Sequence, residues 1–129
     1  QRVEGGDERV VPAQAVDHAL HEPLDPAVLR LLQRVAQAAQ QARIPLSMCG
    51  EMAGEPIHVP ILLGLGITEW SMNPHAIPVV KRMVRGLSTI DAQKFVKEII
   101  DLTSAEEINR LARERFSLHI NSGLVIKQE

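Results

Sequence analysis

Ile44-Pro45-Leu46-Ser47-Met48-Cys49-Gly50-Glu51-Met52-Ala53-Gly54 and, a short distance on, Thr68-Glu69-Trp70-Ser71-Met72-Asn73-Pro74 are the stretches on which the fold turns. Residues 44–49 are short and mostly apolar and read as a strand, with Pro45 tolerable only near its start, where no ladder hydrogen bond is needed. Gly50 ends that strand, and residues 51–54 read as a loop. Glu55-Pro56 opens a helix running through Leu63, although Pro60 within it implies a distortion or a late start. Gly64 and Gly66 close the helix, residues 68–72 form a second short strand, and Asn73-Pro74 turns the chain into a helix from Ala76 to Arg85.

The pattern extends outward in both directions. Upstream, Asp25-Pro26 reads as an N-cap followed by proline at the first helical position, where its missing N–H costs nothing. A helix follows to about Arg43. In it Val28, Leu31, Leu32, Val35, Ala38, Ala39 and Ala42 recur at the spacing of one buried face, with Arg30, Gln33, Arg34, Gln37 and Gln41 opposite. Downstream of Gly86, a helix from Ile90 to Asp101 is capped by Ser88 or Thr89, and another runs from Ala105 to Phe116. Ser104-Ala105-Glu106-Glu107 fits the capping box, in which Ser and Glu satisfy two backbone donors reciprocally. Phe95, Val96, Ile99, Ile100, Ile108, Leu111 and Phe116 predict that these last two helices pack as a hairpin. Residues 1–23 read as a loop-rich leader, punctuated by Gly5-Gly6 and Pro12, and residues 24–129 as the structured unit. The tail from Ser117 fits no single element.

Strands alternating with helices at this spacing imply parallel βα units and an α/β fold. Two strands are too few to stand alone. A (β/α)8 TIM barrel takes roughly 250 residues, so a chain of this length supplies roughly a quarter to a third of one. The expectation is a helix-rich fragment with two short parallel strands and a helical tail, lacking its neighbouring strands. The opening at Gln1 instead of methionine points the same way, as does an aromatic set limited to Phe95, Phe116 and Trp70.

Composition narrows the function. The 129 residues are 45% hydrophobic and 23% charged, which suits one globular domain. Fourteen basic and sixteen acidic residues, interspersed, leave a net charge of −2 and no basic field for nucleic acid or anionic lipid. Apolar runs such as Ile61–Ile67 fall far short of the roughly 20 residues that cross a bilayer, and no secretory leader is visible. The single Cys49 allows no intramolecular disulfide, which fits a reducing compartment. A cytoplasmic protein without membrane or nucleic-acid partners is therefore expected.

The ordered series Met48-Cys49-Gly50-Glu51-Met52-Ala53-Gly54-Glu55, Leu62-Leu63-Gly64-Leu65-Gly66-Ile67 and Trp70-Ser71-Met72-Asn73-Pro74 is similar to the last two βα units of the phosphoenolpyruvate-utilising enzymes. Glu22-Pro23-Leu24-Asp25-Pro26-Ala27-Val28-Leu29-Arg30-Leu31 also resembles the helix opening before the cysteine strand in phosphoenolpyruvate-protein phosphotransferase, enzyme I of the sugar phosphotransferase system. The resemblance covers about residues 22–115. It implies the C-terminal portion of a TIM barrel that binds phosphoenolpyruvate and magnesium. Phosphoryl passes in that family to a histidine on a separate mobile domain and onward to the phosphocarrier protein HPr, and pyruvate is released. It also implies an oligomer.

By the same resemblance Cys49 is the catalytic acid, protonating the methylene carbon of enolpyruvate. A thiol suits the task, since it remains mostly protonated at neutral pH yet gives up its proton readily. By composition alone, a lone cysteine ending an apolar strand is more often a buried small hydrophobe. Glu51 could meet a cation or a phosphate-binding arginine, but a loop carboxylate is more often solvated, and it stays outside the catalytic set. His18, His21, His58, His75 and His119 read as surface or satisfied histidines. None lies in the Gly-Gly-x-Thr-Ser-His context of the family's phosphorylated histidine, and the family's magnesium carboxylates have no counterpart here. Aligning Val3-Glu4-Gly5-Gly6-Asp7-Glu8 with the family's Val-Asp-Arg-Gly-Asn-Glu puts Gly5 where a phosphate-holding arginine stands, and Pro12–Asp17 resembles an insertion.

Two functions compete. One is an enzyme fragment that carries the proton-donating cysteine and is inactive alone. The other is a non-catalytic interaction or regulatory module derived from the same barrel. A cysteine hydrolase or redox protein lacks support, with no His/Asn partner series and no Cys-x-x-Cys.

Overall fold

The computed structural model describes residues 23–121. The leader, with His18, His21, Gly5 and the Pro12–Asp17 stretch, lies outside them, as do residues 122–129. The order of elements is α1 (Pro26–Ala42), β1 (Ser47–Cys49), a single turn α2 (Glu51–Gly54), a 3-10 helix (Pro56–His58), α3 (Val59–Gly64), β2 (Glu69–Ser71), α4 (Ile77–Gly86), α5 (Thr89–Ile99) and α6 (Ala105–Asn121). The α/β expectation holds in this form, as a helix-rich chain with two short parallel strands.

Local chemistry starts and stops these helices. Asp25 caps α1, its carboxylate accepting from the Ala27 N–H at 2.7 Å, and Pro26 takes the first helical position. Leu24 before the cap and Leu29 in the first turn are both buried in the main core, the arrangement of a hydrophobic staple. The helix ends at Arg43 in the left-handed region (φ 55°, ψ 40°), where the Ile44 N–H reaches back to the Ala39 carbonyl at 3.1 Å. Glycine usually fills this place, since a side chain there costs about 1–2 kcal/mol. At α5 the cap is Ser88, accepting from the Asp91 N–H at 3.4 Å.

β1 and β2 pair in parallel, Ser47 with Glu69, Met48 with Trp70 and Cys49 with Ser71. They form a sheet of two strands joined through α2, the 3-10 helix and α3. Side chains alternate across a strand, so Met48 and Trp70 share one face. Both are partly buried and pack against the helices, and the Trp70 indole N–H donates to the Ile67 carbonyl at 2.7 Å. Ser47, Cys49, Glu69 and Ser71 share the other face, which nothing in the described chain covers.

The main core belongs to the helices. Val59, Ile61, Met83, Phe95, Ile99, Ile108 and Phe116 are buried together, and the Phe95 and Phe116 rings meet edge to face with centroids 5.0 Å apart. The closest helix pairing is α3 on α5, which Gly64 permits, because a Cβ there would stand 2.5 Å from Val96 Cγ2 and 2.8 Å from the Ala92 carbonyl carbon. The expected hairpin of α5 and α6 is thus corrected. α5 packs chiefly on α3, while α6 lies against the 3-10 helix and α4 and meets α5 through side chains, including Arg115 to Glu98 at 2.8 Å.

Other expectations also need correction. The buried stripe of α1 is Leu29, Ala36 and Ala39, whereas Leu31 is 62% and Val35 42% exposed and Ala38 and Ala42 are exposed as well. Its apolar arc is wider than the core it meets. Arg30 is exposed, as assigned, and bridges to the Ile100 and Leu102 carbonyls beyond α5, both at 3.2 Å. Residues 51–54 form a helical turn instead of a loop, whereas the late start expected from Pro60 is present as a 3-10 turn that delays α3 to Val59. The capping box is half formed. Ser104 accepts from the Glu107 N–H at 3.3 Å, but its hydroxyl donates to Glu106, and Glu107 turns toward Arg110 at 4.0 Å. Helix α6 runs past Ser117 to Asn121, with non-helical torsions at Phe116.

Candidate functional site

The carboxyl ends of β1 and β2 form one mouth. Cys49 is the last residue of β1, and its thiol is exposed on the uncovered face of the sheet, opposite Ser71. The inert buried cysteine that composition favours is therefore not what this chain has. The Gly50 N–H extends the ladder by one bond, donating to the Ser71 carbonyl at 3.2 Å. Gly50 itself has φ 90° and ψ −159°, a region open essentially to glycine, and the bend it makes turns the chain from the strand directly into α2.

A cleft of about 290 Å³ opens beside this bend, lined by Gly50, Glu51, Gly54, Glu55, Ser71, Met72, Asn73 and Ala76. Asn73 shapes its far wall, its side-chain oxygen accepting from the His75 N–H at 3.0 Å and its carbonyl from the Ala76 N–H at 2.9 Å. The two loops after the strands thus meet at an opening lined by Gly50, which follows Cys49, and by Ser71, the strand partner of Cys49. Glu51 is exposed there, together with Glu55. A larger, apolar trough of about 490 Å³ lies along β2 and α4, walled by Leu63, Trp70, Met72, Val80 and Val84, with Lys81 and Arg85. Its lining includes Thr68 but no cysteine, histidine or carboxylate.

His58, grouped with the surface or satisfied histidines, is 5% exposed and satisfied, its Nδ1 lying 3.2 Å from the Met52 carbonyl. Burial lowers its pKa from the ordinary value, against the opposing pull of the Met52 carbonyl and Glu55, and Arg113 lowers it further. His75 is exposed, and His119 is half-buried with its ring 6.4 Å from that of Phe116. Among the described residues, no group of three or more His, Cys, Asp or Glu side chains converges to hold a metal ion. Sequence reasoning missed Ser71 as the partner of Cys49, because strand register is invisible until the strands are paired. It also left open which histidine is buried, because the burial of His58 depends on contacts far along the chain. Among the described residues no helix is long and apolar enough to cross a membrane.

Residues 7–89 match the family model of the PEP-utilising enzyme, PEP-binding domain. The phosphoenolpyruvate-protein phosphotransferase of Bacillus subtilis is 39% identical over 97 residues, which make up 75% of this chain and 17% of that protein. Its counterpart in Mycoplasma pneumoniae is 34% identical over 97 residues, again 75% of this chain and 17% of the relative. The multiphosphoryl transfer protein of Escherichia coli O6:H1 is 38% identical over 92 residues, 71% of this chain and 11% of that protein. The chain thus spans well under two thirds of the length of these relatives.

Proposed function

The chain belongs to the PEP-utilising enzyme family through its PEP-binding domain, and from that premise we propose that it is the C-terminal portion of a phosphoenolpyruvate-binding (β/α)8 barrel in a phosphoenolpyruvate-protein phosphotransferase. One observation carries the reading. Cys49 stands exposed at the carboxyl end of a parallel strand, within the matched segment, on a sheet face left bare. Barrel enzymes place their reacting groups at that end of the strands, and the bare face is what the remaining strands would enclose. The trough along β2 and the outer stripe of α1 are the flanks against which neighbouring βα units would pack.

In this reading Cys49 acts on enolpyruvate after phosphoryl has left for a histidine elsewhere in the protein. The Sγ–H bond breaks toward the methylene carbon, a C–H bond forms, the enolate electrons collapse to the ketone of pyruvate, and a thiolate remains to be reprotonated by solvent. Gly50 leaves room beside the thiol for a small anion. Magnesium and HPr come from the resemblance, as does the homo-oligomer. The described residues do not fit magnesium by themselves, since Glu51 and Glu55 have no converging third ligand, and no step here depends on the ion.

Cys49→Ala, in the longer polypeptide that this reading requires, is expected to lower pyruvate formation about 10²–10⁴-fold. Phosphoenolpyruvate affinity should hold, because cations on the phosphate and carboxylate set ground-state binding. Unchanged turnover would remove Cys49 from the mechanism. A second reading, a non-catalytic module that docks through the outer face of α1, draws on the exposure of Leu31 and Val35. It requires that the longer polypeptide make no pyruvate at all.

A further inference from the structure

His58 is a buried, titratable side chain that the chemistry above does not use. Its position nevertheless bears on Cys49. A carbonyl only accepts, so the Nδ1 that lies 3.2 Å from the Met52 oxygen carries the proton and donates it. Met52 belongs to α2, the single turn that follows Cys49 and Gly50, and α2 has no side-chain hydrogen bond at its N-cap. The turn is closed by the Ala53 N–H donating to the Gly50 carbonyl at 3.1 Å, and Ala53 is fully buried. The 3-10 helix that carries His58 packs in turn against α6.

We propose that His58 is a positioning residue, tethering the α2 turn so that the Cys49–Gly50 bend keeps its geometry and linking that bend to α6. The inference rests on the reading of Cys49 as the reacting group. The charged groups that act on His58 are Glu55, on its own segment, and Arg113 on α6. A neutral imidazole suits this place, since a second cation beside Arg113 would oppose the packing of α6. The tether also has a direction. It takes an N–H three bonds from Cα, which Asn reproduces and Gln, one methylene longer, does not.

That difference makes the test. Amide hydrogen exchange at Ala53 is measured in the full chain for His58→Gln and His58→Asn, with Phe95 in α5 as the reference for global opening. The Gln variant should exchange about fivefold faster at Ala53, the effect of one lost hydrogen bond. The Asn variant should stay within about twofold of the original. In the longer polypeptide, His58→Gln should lower kcat about tenfold at unchanged KM through misplacement of the reacting group, and His58→Asn should restore it. Simple space filling ranks the variants the other way, since Gln is the larger. Equal exchange in both, or slower exchange in Gln, overturns the tether. Should Cys49→Ala keep its turnover while the exchange ranking holds, the assignment of Cys49 falls and the tether stands.

Discussion

Gly64→Ala is the most severe small change the packing allows. The added methyl would lie 2.5 Å from Val96 Cγ2 and 2.8 Å from the Ala92 carbonyl carbon, and closer still to the Ala92 oxygen. Carbon atoms rest about 3.5–4.0 Å apart, so α3 and α5 must separate by about 1 Å. A flexible side chain could yield, but the Ala92 contact is backbone inside a helix. Overpacking costs about 1–3 kcal/mol, and a backbone obstacle places this case at the upper end. Better helix propensity returns at most about 1 kcal/mol, leaving a net loss of about 2 kcal/mol. For a unit of this size that lowers Tm by roughly 10 °C. Thermal unfolding followed by circular dichroism measures it, with Gly54→Ala as the comparison. There the nearest atom, Ala76 Cβ, is 3.4 Å away, and the change should stay within about 0.5 kcal/mol. A Gly64→Ala protein that melts with the original would refute the close approach of α3 and α5.

Two further outcomes follow from exposure and charge. His58 has a folded-state pKa below its ordinary 6.5, chiefly through burial, so above about pH 6.5 both folded and unfolded chains hold it neutral and it costs nothing. As the pH falls below that value the unfolded chain takes up the proton first and stability declines. His58→Asn should therefore flatten the difference in urea midpoint between pH 7.5 and pH 5.5, and an identical pH dependence in the two proteins would contradict this. The bare sheet edges and the Leu31 and Val35 stripe should make the chain self-associate. Sedimentation velocity should show concentration-dependent species, reduced by Leu31→Glu, and a sharp monomer at all concentrations would count against it.

Much of this fold was legible residue by residue. Asp25-Pro26 and the Ser88-Thr89 pair marked helix starts because capping is local chemistry, and both strands were found because their apolar residues are bounded by Gly50 and by Asn73-Pro74. The strands came out at only three residues each, Ser47–Cys49 and Glu69–Ser71, since a ladder extends no further than its partner. Helix α1 was harder. Its apolar residues cover so wide an arc that periodicity could not separate the covered edge around Leu29 and Ala36 from the uncovered edge around Leu31 and Val35. The turn at Glu51–Gly54 is too short for any periodic signal. At the candidate site, Cys49 was singled out through its motif. Ser71 opposite it and the burial of His58 were hidden, because one depends on register and the other on elements far away in sequence.

None of the fully buried residues of the main core comes from β1 or β2, and only Trp70 packs against it from a strand, which has a consequence in time. Helical turns form in roughly a microsecond, and contacts among neighbouring helices close short loops, whereas pairing two parallel strands must wait for the crossover between them to be in place. The helices can collapse around Phe95 and Phe116 while the ribbon is still open. Cys49 is thus expected to acquire its final geometry after the helical scaffold has set. A substitution that weakens only the pairing of Met48 with Trp70 would yield a well-formed helical body whose far-ultraviolet signal is nearly unchanged, with its thiol out of place.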